Sequence, residues 1–473
     1  MIATRHAMQM AAARRFAAAA LCLLAAAGCA TLPDTDALIE RHAGQAARFE
    51  NASGPLSTQR SAAVLSELKR KSGDIDILEK QIALEQSING SPLTLGNKVT
   101  LLKDGAATYP AMFAAIRNAQ DHINLETFIF EDDEIGQQFS DLLLERQAAG
   151  VQVNIIYDAV GSLKTPKPFF DRLEEGGITV LQFNPINPLA GKAPWRLNNR
   201  DHRKLLIVDG QTVFLGGINI SSVYSSGSVV PRSGSSTGEA AGEAIAWRDT
   251  DLQIEGPVVG EFQKLFMETW EKQHGKPLAA KAYFPVLKAE GKDIVRAIGS
   301  TPDDPFSLLY LTLMSAIGNA EKQVELTQAY FVPDRQLMKA LVDAAVRGVD
   351  VKLILPSHTD SQSAFHAGRS HYSELLEAGV KIYERRGALL HSKTAIIDGV
   401  WTSVGSSNLD WRSFLDNNEV NAVVLGREFA LQMQAMFTAD LEASNAIDRE
   451  RWENRPLIFR LREMAARLWG RLL

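Results

Sequence analysis

The stretch "LLHSKTAIIDG", residues 389–399, has a counterpart in "DHRKLLIVDG", residues 201–210. Both are spelled H-x-K-x-x-x-x-D-G. The first holds His202, Lys204, Asp209 and Gly210; the second holds His391, Lys393, Asp398 and Gly399. Each is an apolar, strand-like run closed by an Asp-Gly turn. Residues i and i+2 of a strand face the same side. His202 and Lys204 are therefore expected to project together, and so are His391 and Lys393. Asp209 and Asp398 have the opposite parity and stand at the strand ends, a place suited to turn and local hydrogen-bond work rather than to direct chemistry.

The surroundings repeat too. "HINLETFIF" (122–130) and "VQVNIIYD" (151–158) read as strands around a helix at 135–150 that stops at Gly150. "QVELTQAYFV" (323–332) and "VDVKLILP" (349–356) read as strands around a helix at 334–348 that stops at Gly348. Helices are also expected at 109–120 and 305–320, and a strand at 98–102. Strands alternating with helices at matching positions predict two copies of one α/β domain with parallel members. Their expected spans are 96–285 and 286–450. A leader (1–28), a linker with a helix near 57–87 (within 29–95) and a C-terminal tail (451–473) complete the chain.

An imidazole beside an ammonium is a poor metal site, because Lys is not a usual ligand. It suits a phosphate: Lys supplies charge to the phosphoryl oxygens, and His can attack or donate a proton. Two such pairs facing one phosphorus divide the labour, one His attacking and the other protonating the leaving oxygen. No metal is needed.

The paired motifs resemble the phospholipase D superfamily, especially its bacterial cardiolipin synthase branch, over roughly residues 96–450. Seventeen residues after each His lies an Asn, in "GGIN" (Asn219) and "GSSN" (Asn408). "WRDTDLQIEGPVV" (247–259) and "NLDWRSFLDNNEV" (408–420) are similar to the family's segments after each motif, and "LYLTLMSAIGNA", "AYFVPD" and "YDAVGS" match further. The resemblance implies two α-β-α sandwich domains related by pseudo-two-fold symmetry, with the active site at their interface. It implies phosphate binding by Asn219 and Asn408, and orientation of the histidines by Asp251 and Glu419. It further implies a phosphohistidine intermediate, with His202 attacking and His391 acting as acid and base. The expected activity is phosphatidyl transfer between glycerophospholipids such as phosphatidylglycerol. Hydrolytic phospholipase D action and a superfamily nuclease are the alternatives. No cofactor is implied. The chain departs from internal symmetry in one place: Glu419 follows His391 by 28 residues, and Asp251 follows His202 by 49. The extra length falls in "SSGSVVPRSGSSTGEAAGE" (225–243), mobile by composition.

The 473 residues are too many for one ordinary core, and 45% apolar with 22% charged residues is globular usage. A net charge of −6 lacks the basic field of a nucleic-acid binder, so no nucleic-acid partner is expected. Arg5, Arg14 and Arg15 precede the apolar run 16–28, which ends in "AAGC" at Cys29. This resembles a lipoprotein signal with Cys29 as the lipidated residue. Ala30 after it favours an outer-membrane anchor facing the periplasm, the inner membrane being the alternative. Cys22 and Cys29 are the only cysteines, so no disulfide framework is expected. His358, His366 and His371 cluster without a metal-ligand spacing, and no glycine pattern forms a nucleotide loop. In the tail, Leu457, Leu461, Met464, Leu468 and Leu472 recur at helical spacing among arginines. Such a basic amphipathic helix suits an anionic membrane surface, or else docks on the protein's own core.

Overall fold

The computed structural model describes residues 48–72, 81–82, 91–187, 196–225 and 246–467, with 34, 37 and 470. The leader, Cys29, and the insertion 225–243 apart from Ser225 lie outside the described residues. The early helix runs Thr58–Ser72, and part of its expected continuation also lies outside them.

A short hairpin, β1 (Phe49–Asn51) and β2 (Gly54–Pro55), leads into β3 (Leu93–Lys103). The first half continues with β4 (His122–Thr127), β5 (Gln152–Asp158), β6 (Thr179–Phe183), β7 (Arg200–Asp201), β8 (Leu205–Val208), β9 (Thr212–Gly216), β10 (Trp247–Arg248) and β11 (Thr250–Glu255). The second half holds β12 (Asp293–Ser300), β13 (Gln323–Gln328), β14 (Asp350–Pro356), β15 (Lys381–Arg385), β16 (Leu389–Leu390), β17 (Lys393–Ile397), β18 (Trp401–Gly405) and β19 (Asn417–Leu425), followed by β20 (Ser444–Ala446).

Hydrogen-bonded neighbours in the first half run β6-β5-β4-β8-β9-β11-β3. In the second half they run β15-β14-β13-β17-β18-β19-β12, the same order with the same directions. Strands β4 to β6 are parallel, as are β13 to β15; every other pair in these two runs is antiparallel. β3 pairs antiparallel with β12, joining the two sheets edge to edge. An antiparallel join of two equivalent edges is what a pseudo-two-fold axis requires.

Every residue of β4 is buried, as expected for a parallel strand covered on both faces. On the outer face, helices Asp104–Asn118 and Glu134–Ala148 contribute Tyr109, Phe113 and Phe139 to one core. On the inner face, helices Val259–Lys272 and Arg427–Glu442 follow β11 and β19. Their Phe262, Phe266, Phe429 and Met433 fill a central core common to both sheets. Each half is thus an α-β-α sandwich. Asp133 and Asp334 cap matching helices by accepting from Gly136 N and Leu337 N.

The two motif runs are not the continuous strands expected from their pattern. His202 falls between β7 and β8, and His391 between β16 and β17. The reason is pairing. β7 runs parallel to the start of β19, and β16 runs parallel to β10, each in the opposite half. β8 and β17 pair within their own sheets. The chain must leave one sheet and enter the other at the motif histidine.

Candidate active site

Both motif histidines and both motif lysines are buried. Their carboxylate partners come from the opposite half. His202 Nδ1 lies 3.0 and 3.1 Å from the two carboxylate oxygens of Glu419. His391 Nδ1 lies 2.7 Å from Asp249 Oδ2. The backbone fixes this exchange: His202 N donates to Asn418 O at 3.0 Å, and His391 N donates to Arg248 O at 2.8 Å. Each histidine is thereby tied to the residue immediately before its carboxylate.

Asp251, expected to orient a histidine, does not do so. Its Oδ1 accepts from Ile218 N at 3.1 Å. Burial, then the nearby Asp249 charge, pushes its carboxyl well above the usual range. The residue in the orienting place is Asp249. The signal was present in the repeat. "DTDLQIEG" (249–256) aligns without gaps on "EVNAVVLG" (419–426), both ending in a glycine at positive φ. Counting back from Gly256 and Gly426 pairs Asp249 with Glu419 and Asp251 with Asn421. Asn421 makes the equivalent contact, accepting from Ser407 N at 3.3 Å. Gly217 leaves room for Asp249, since a Cβ there would overlap its carboxylate. The matching position is Ser406, whose hydroxyl donates to Glu419.

An ionised carboxylate only accepts, so each Nδ1 carries a proton, and each Nε2 holds a lone pair when its ring is neutral and a second proton when its ring is an imidazolium. Burial alone would raise the Asp249 carboxyl, but His391 and Lys393 outweigh it and hold the carboxyl low. Burial likewise works against Glu419, and His202 and Lys204 outweigh it. Burial, partly offset by Glu419, pushes His202 down to about 4; burial and Lys393 push His391 down. Burial is also the main force on the lysines, taking Lys204 to about 7 and Lys393 to about 8. Lys393 acts on His202, and Lys204 acts on His391, across the divide. Lys204 Nζ donates to His202 O at 2.6 Å, and Lys393 Nζ to His391 O. The result gathers two ammonium groups with two histidines whose Nδ1 sides are held by carboxylates, a charge pattern that suits a phosphodiester.

Asp209 and Asp398 stand apart from this chemistry. Asp209 accepts from Gln120 N, Asp121 N and His122 N, and Asp398 from Glu321 N, Lys322 N and Gln323 N. Both sit in left-handed turns, at φ +53° and +51°, ahead of Gly210 and Gly399. They anchor the starts of β4 and β13. Asn219 and Asn408 are buried at equivalent places with different partners. Asn219 Oδ1 accepts from Ile129 N at 3.1 Å, and its Nδ2 donates to Tyr224 Oη at 2.9 Å. Asn408 Oδ1 is buried without a hydrogen bond.

Sequence reasoning missed an aromatic surround that breaks the symmetry. The His391 ring lies 5.7 Å from Tyr224, 5.1 Å from Trp247 and 6.5 Å from Tyr330. His202 has Phe128 at 5.1 Å, and Lys204 Nζ lies 5.3 Å from the same ring. Behind Asp249, Arg248 pairs with Asp440 at 2.7 Å and Asp104 at 3.2 Å, both buried. Among the described residues no His, Cys, Asp and Glu cluster is suited to a metal, and His358, His366 and His371 form none. Among the described residues no helix is long and apolar enough to cross a membrane.

A protein-family model described as "Cardiolipin synthase, PLD-like domain" matches residues 112–226 and 313–441. A cardiolipin synthase of Alkalihalophilus pseudofirmus is 34% identical over 86% of this chain and 78% of its own. One from Geobacillus sp. strain WCH70 is 35% identical over 83% of this chain and 76% of its own. Among solved structures, phosphatidylserine synthase of Haemophilus influenzae Rd KW20 covers 82% of this chain and 98% of its own. Its TM-score is 0.60 at 15% identity, a likeness of fold.

Proposed function

Because this chain belongs to the cardiolipin synthase branch of the phospholipase D superfamily, we propose that it is a phosphatidyltransferase acting on glycerophospholipids. The observation that carries the reading is the crosswise arrangement, in which each half supplies the carboxylate that orients the other half's histidine. Neither half holds a complete site. A single phosphorus between two Nε2 atoms is what such a site can serve.

His202 Nε2 attacks the phosphodiester phosphorus of a donor such as phosphatidylglycerol. The bond to the headgroup oxygen breaks, and His391 Nε2–H donates its proton to the departing alcohol, which leaves as glycerol. The phosphatidyl group is now on His202. His391, neutral again, takes the proton of an incoming lipid hydroxyl. That oxygen attacks phosphorus, the P–N bond breaks, and cardiolipin or a relative is released. Lys204 and Lys393 neutralise the phosphoryl oxygens, with Asn219 and Asn408 at the same phosphate. Glu419 and Asp249 stabilise each imidazolium as it forms. A lipid on Cys29 would hold the enzyme at the envelope membrane where its substrates lie.

The test incubates purified enzyme with phosphatidylglycerol vesicles, with and without phosphatidylethanolamine, and follows products by mass spectrometry. Cardiolipin with released glycerol or ethanolamine is the expected result; phosphatidic acid alone would replace transfer by hydrolysis. His202→Ala and His391→Ala each abolish turnover, and activity surviving both removes the mechanism.

A further inference from the structure

The C-terminal helix Leu457–Arg467 packs against helix Gln362–Arg369 the opposite way round from an ordinary terminal helix. Its buried residue is a charge, Glu463, which meets Arg455 at 2.5 Å and Arg369 at 3.9 Å. Ala466, one turn on, packs on Val332, Ala364 and Ala367, and Gly470 comes near Val332. The docked stripe is therefore 463, 466 and 470. Among the described residues the large apolar ones point away: Leu457 is 66% exposed, Leu461 46% and Met464 61%, with Ile458 at 53% beside them. Positions 457, 461 and 464 lie on one helix face. Arg460 and Arg467 flank that face on one side and Arg462 lies further round the helix, all three exposed. The helix therefore docks on its own protein through Glu463 and Ala466 while Leu457, Leu461 and Met464 stay exposed; Leu468 and Leu472 lie outside the described residues.

We infer that this helix is a membrane-contact element that lies in the surface of an anionic bilayer, with Leu457, Leu461 and Met464 in the acyl region and its arginines at the phosphates. Two observations favour a lipid surface over another occupant. Every exposed charge on Leu457–Arg467 is an arginine, Glu463 being buried, and cations beside an apolar stripe complement an anionic headgroup layer. The helix's docked side is also tied to the reaction centre. The small cluster beneath Ala466 also receives Tyr330, whose ring faces His391. A lipid surface on the outer face would be separated from the site by the helix itself, this small cluster and Tyr330. The inference rests on the phosphatidyltransferase reading for its lipid substrate, but its tests read the surface itself.

The first test is oxidation of Met464 by hydrogen peroxide in the full chain, followed by mass spectrometry, with buried Met433 as internal reference. Vesicles containing phosphatidylglycerol should slow Met464 oxidation at least fivefold, and phosphatidylcholine vesicles should not. Equal rates with both vesicle types overturn the proposal. So does protection that appears without vesicles as protein concentration rises, which would make a second copy the occupant. The second test is the triple variant Leu457→Ser, Leu461→Ser, Met464→Ser. It should lose at least tenfold of its rate on phosphatidylglycerol vesicles and keep its rate on a short-chain, monomeric phosphatidylglycerol. Unchanged vesicle rates overturn the proposal. If the wild-type chain transfers no phosphatidyl group to any acceptor while Met464 is still protected, the catalytic reading fails and the surface stands.

Discussion

Glu419 of the second half lies 3.0 Å from Nδ1 of His202 in the first, 217 positions away in the chain. Its mirror relationship is His391 with Asp249, 142 positions apart. The two half-sites are completed crosswise, so the halves must be docked before either histidine has its tautomer fixed.

Removing either orienting charge tests this directly. Glu419→Gln and Asp249→Asn should each lower kcat by about 100-fold or more, the scale of losing a partner that orients a catalytic imidazole. Asp251→Asn should retain most of the activity. Burial and Asp249 push its carboxyl well above the usual range, and Asn421 fills the matching place in the other half. Steady-state kinetics of the three variants at matched thermal stability checks the contrast; equal losses at 249 and 251 would refute the assignment.

Phosphate binding should take up protons. The lysines are pushed down, mainly by burial, to about 7 and about 8, so each loses its charge as pH rises through that value. An anion between them restores the charged form. Near pH 7.5, binding of inorganic phosphate or vanadate should therefore draw protons from solution. Calorimetry in buffers of different ionisation enthalpy measures the number. KM for the phosphodiester should rise above about pH 8, where both ammonium groups are being lost.

Asp209→Ala and Asp398→Ala should act on stability first. Each removes a carboxylate that accepts from three consecutive backbone N–H groups. A loss of about 2–3 kcal/mol is expected for each, from hydrogen bonds to a charged group and the donors left behind. Denaturant unfolding measures it. The folded fraction of either variant should still turn over, which His202→Ala and His391→Ala should not.

Tyr224→Phe should lower kcat more than it raises KM. The hydroxyl accepts from Asn219 Nδ2 at 2.9 Å and lies 3.5 Å from His391 Nδ1, while the ring's packing on Trp247 would persist. A loss of about tenfold in kcat corresponds to about 1.4 kcal/mol, within the range for one buried hydrogen bond. Separate determination of kcat and KM checks it; a change confined to KM would place Tyr224 in substrate binding instead.

Much of this was legible in the chain. The doubled H-x-K-x4-D-G spelling, the helix–Gly–strand units at 150 and 348, and the anchoring role of Asp209 and Asp398 are local patterns, and local patterns are set by backbone periodicity and turn chemistry. Even Asp249 was within reach, because its strand aligns with that of Glu419 up to a shared glycine. The 225–243 insertion hid it by shifting the spacing from the histidine.

What the sequence by itself determined is the repeat, the residue types of the reaction and the α/β sandwich that carries them. Only the tertiary structure decided that β7 and β16 leave their own sheets to pair across the molecule, which kinks each motif at its histidine and hands it a carboxylate from the far half. It also decided that the last helix buries Glu463 and turns Leu457 and Leu461 outward. Both are outcomes of contacts between segments far apart in the chain, and periodicity along one segment carries no information about which distant segment will cover it.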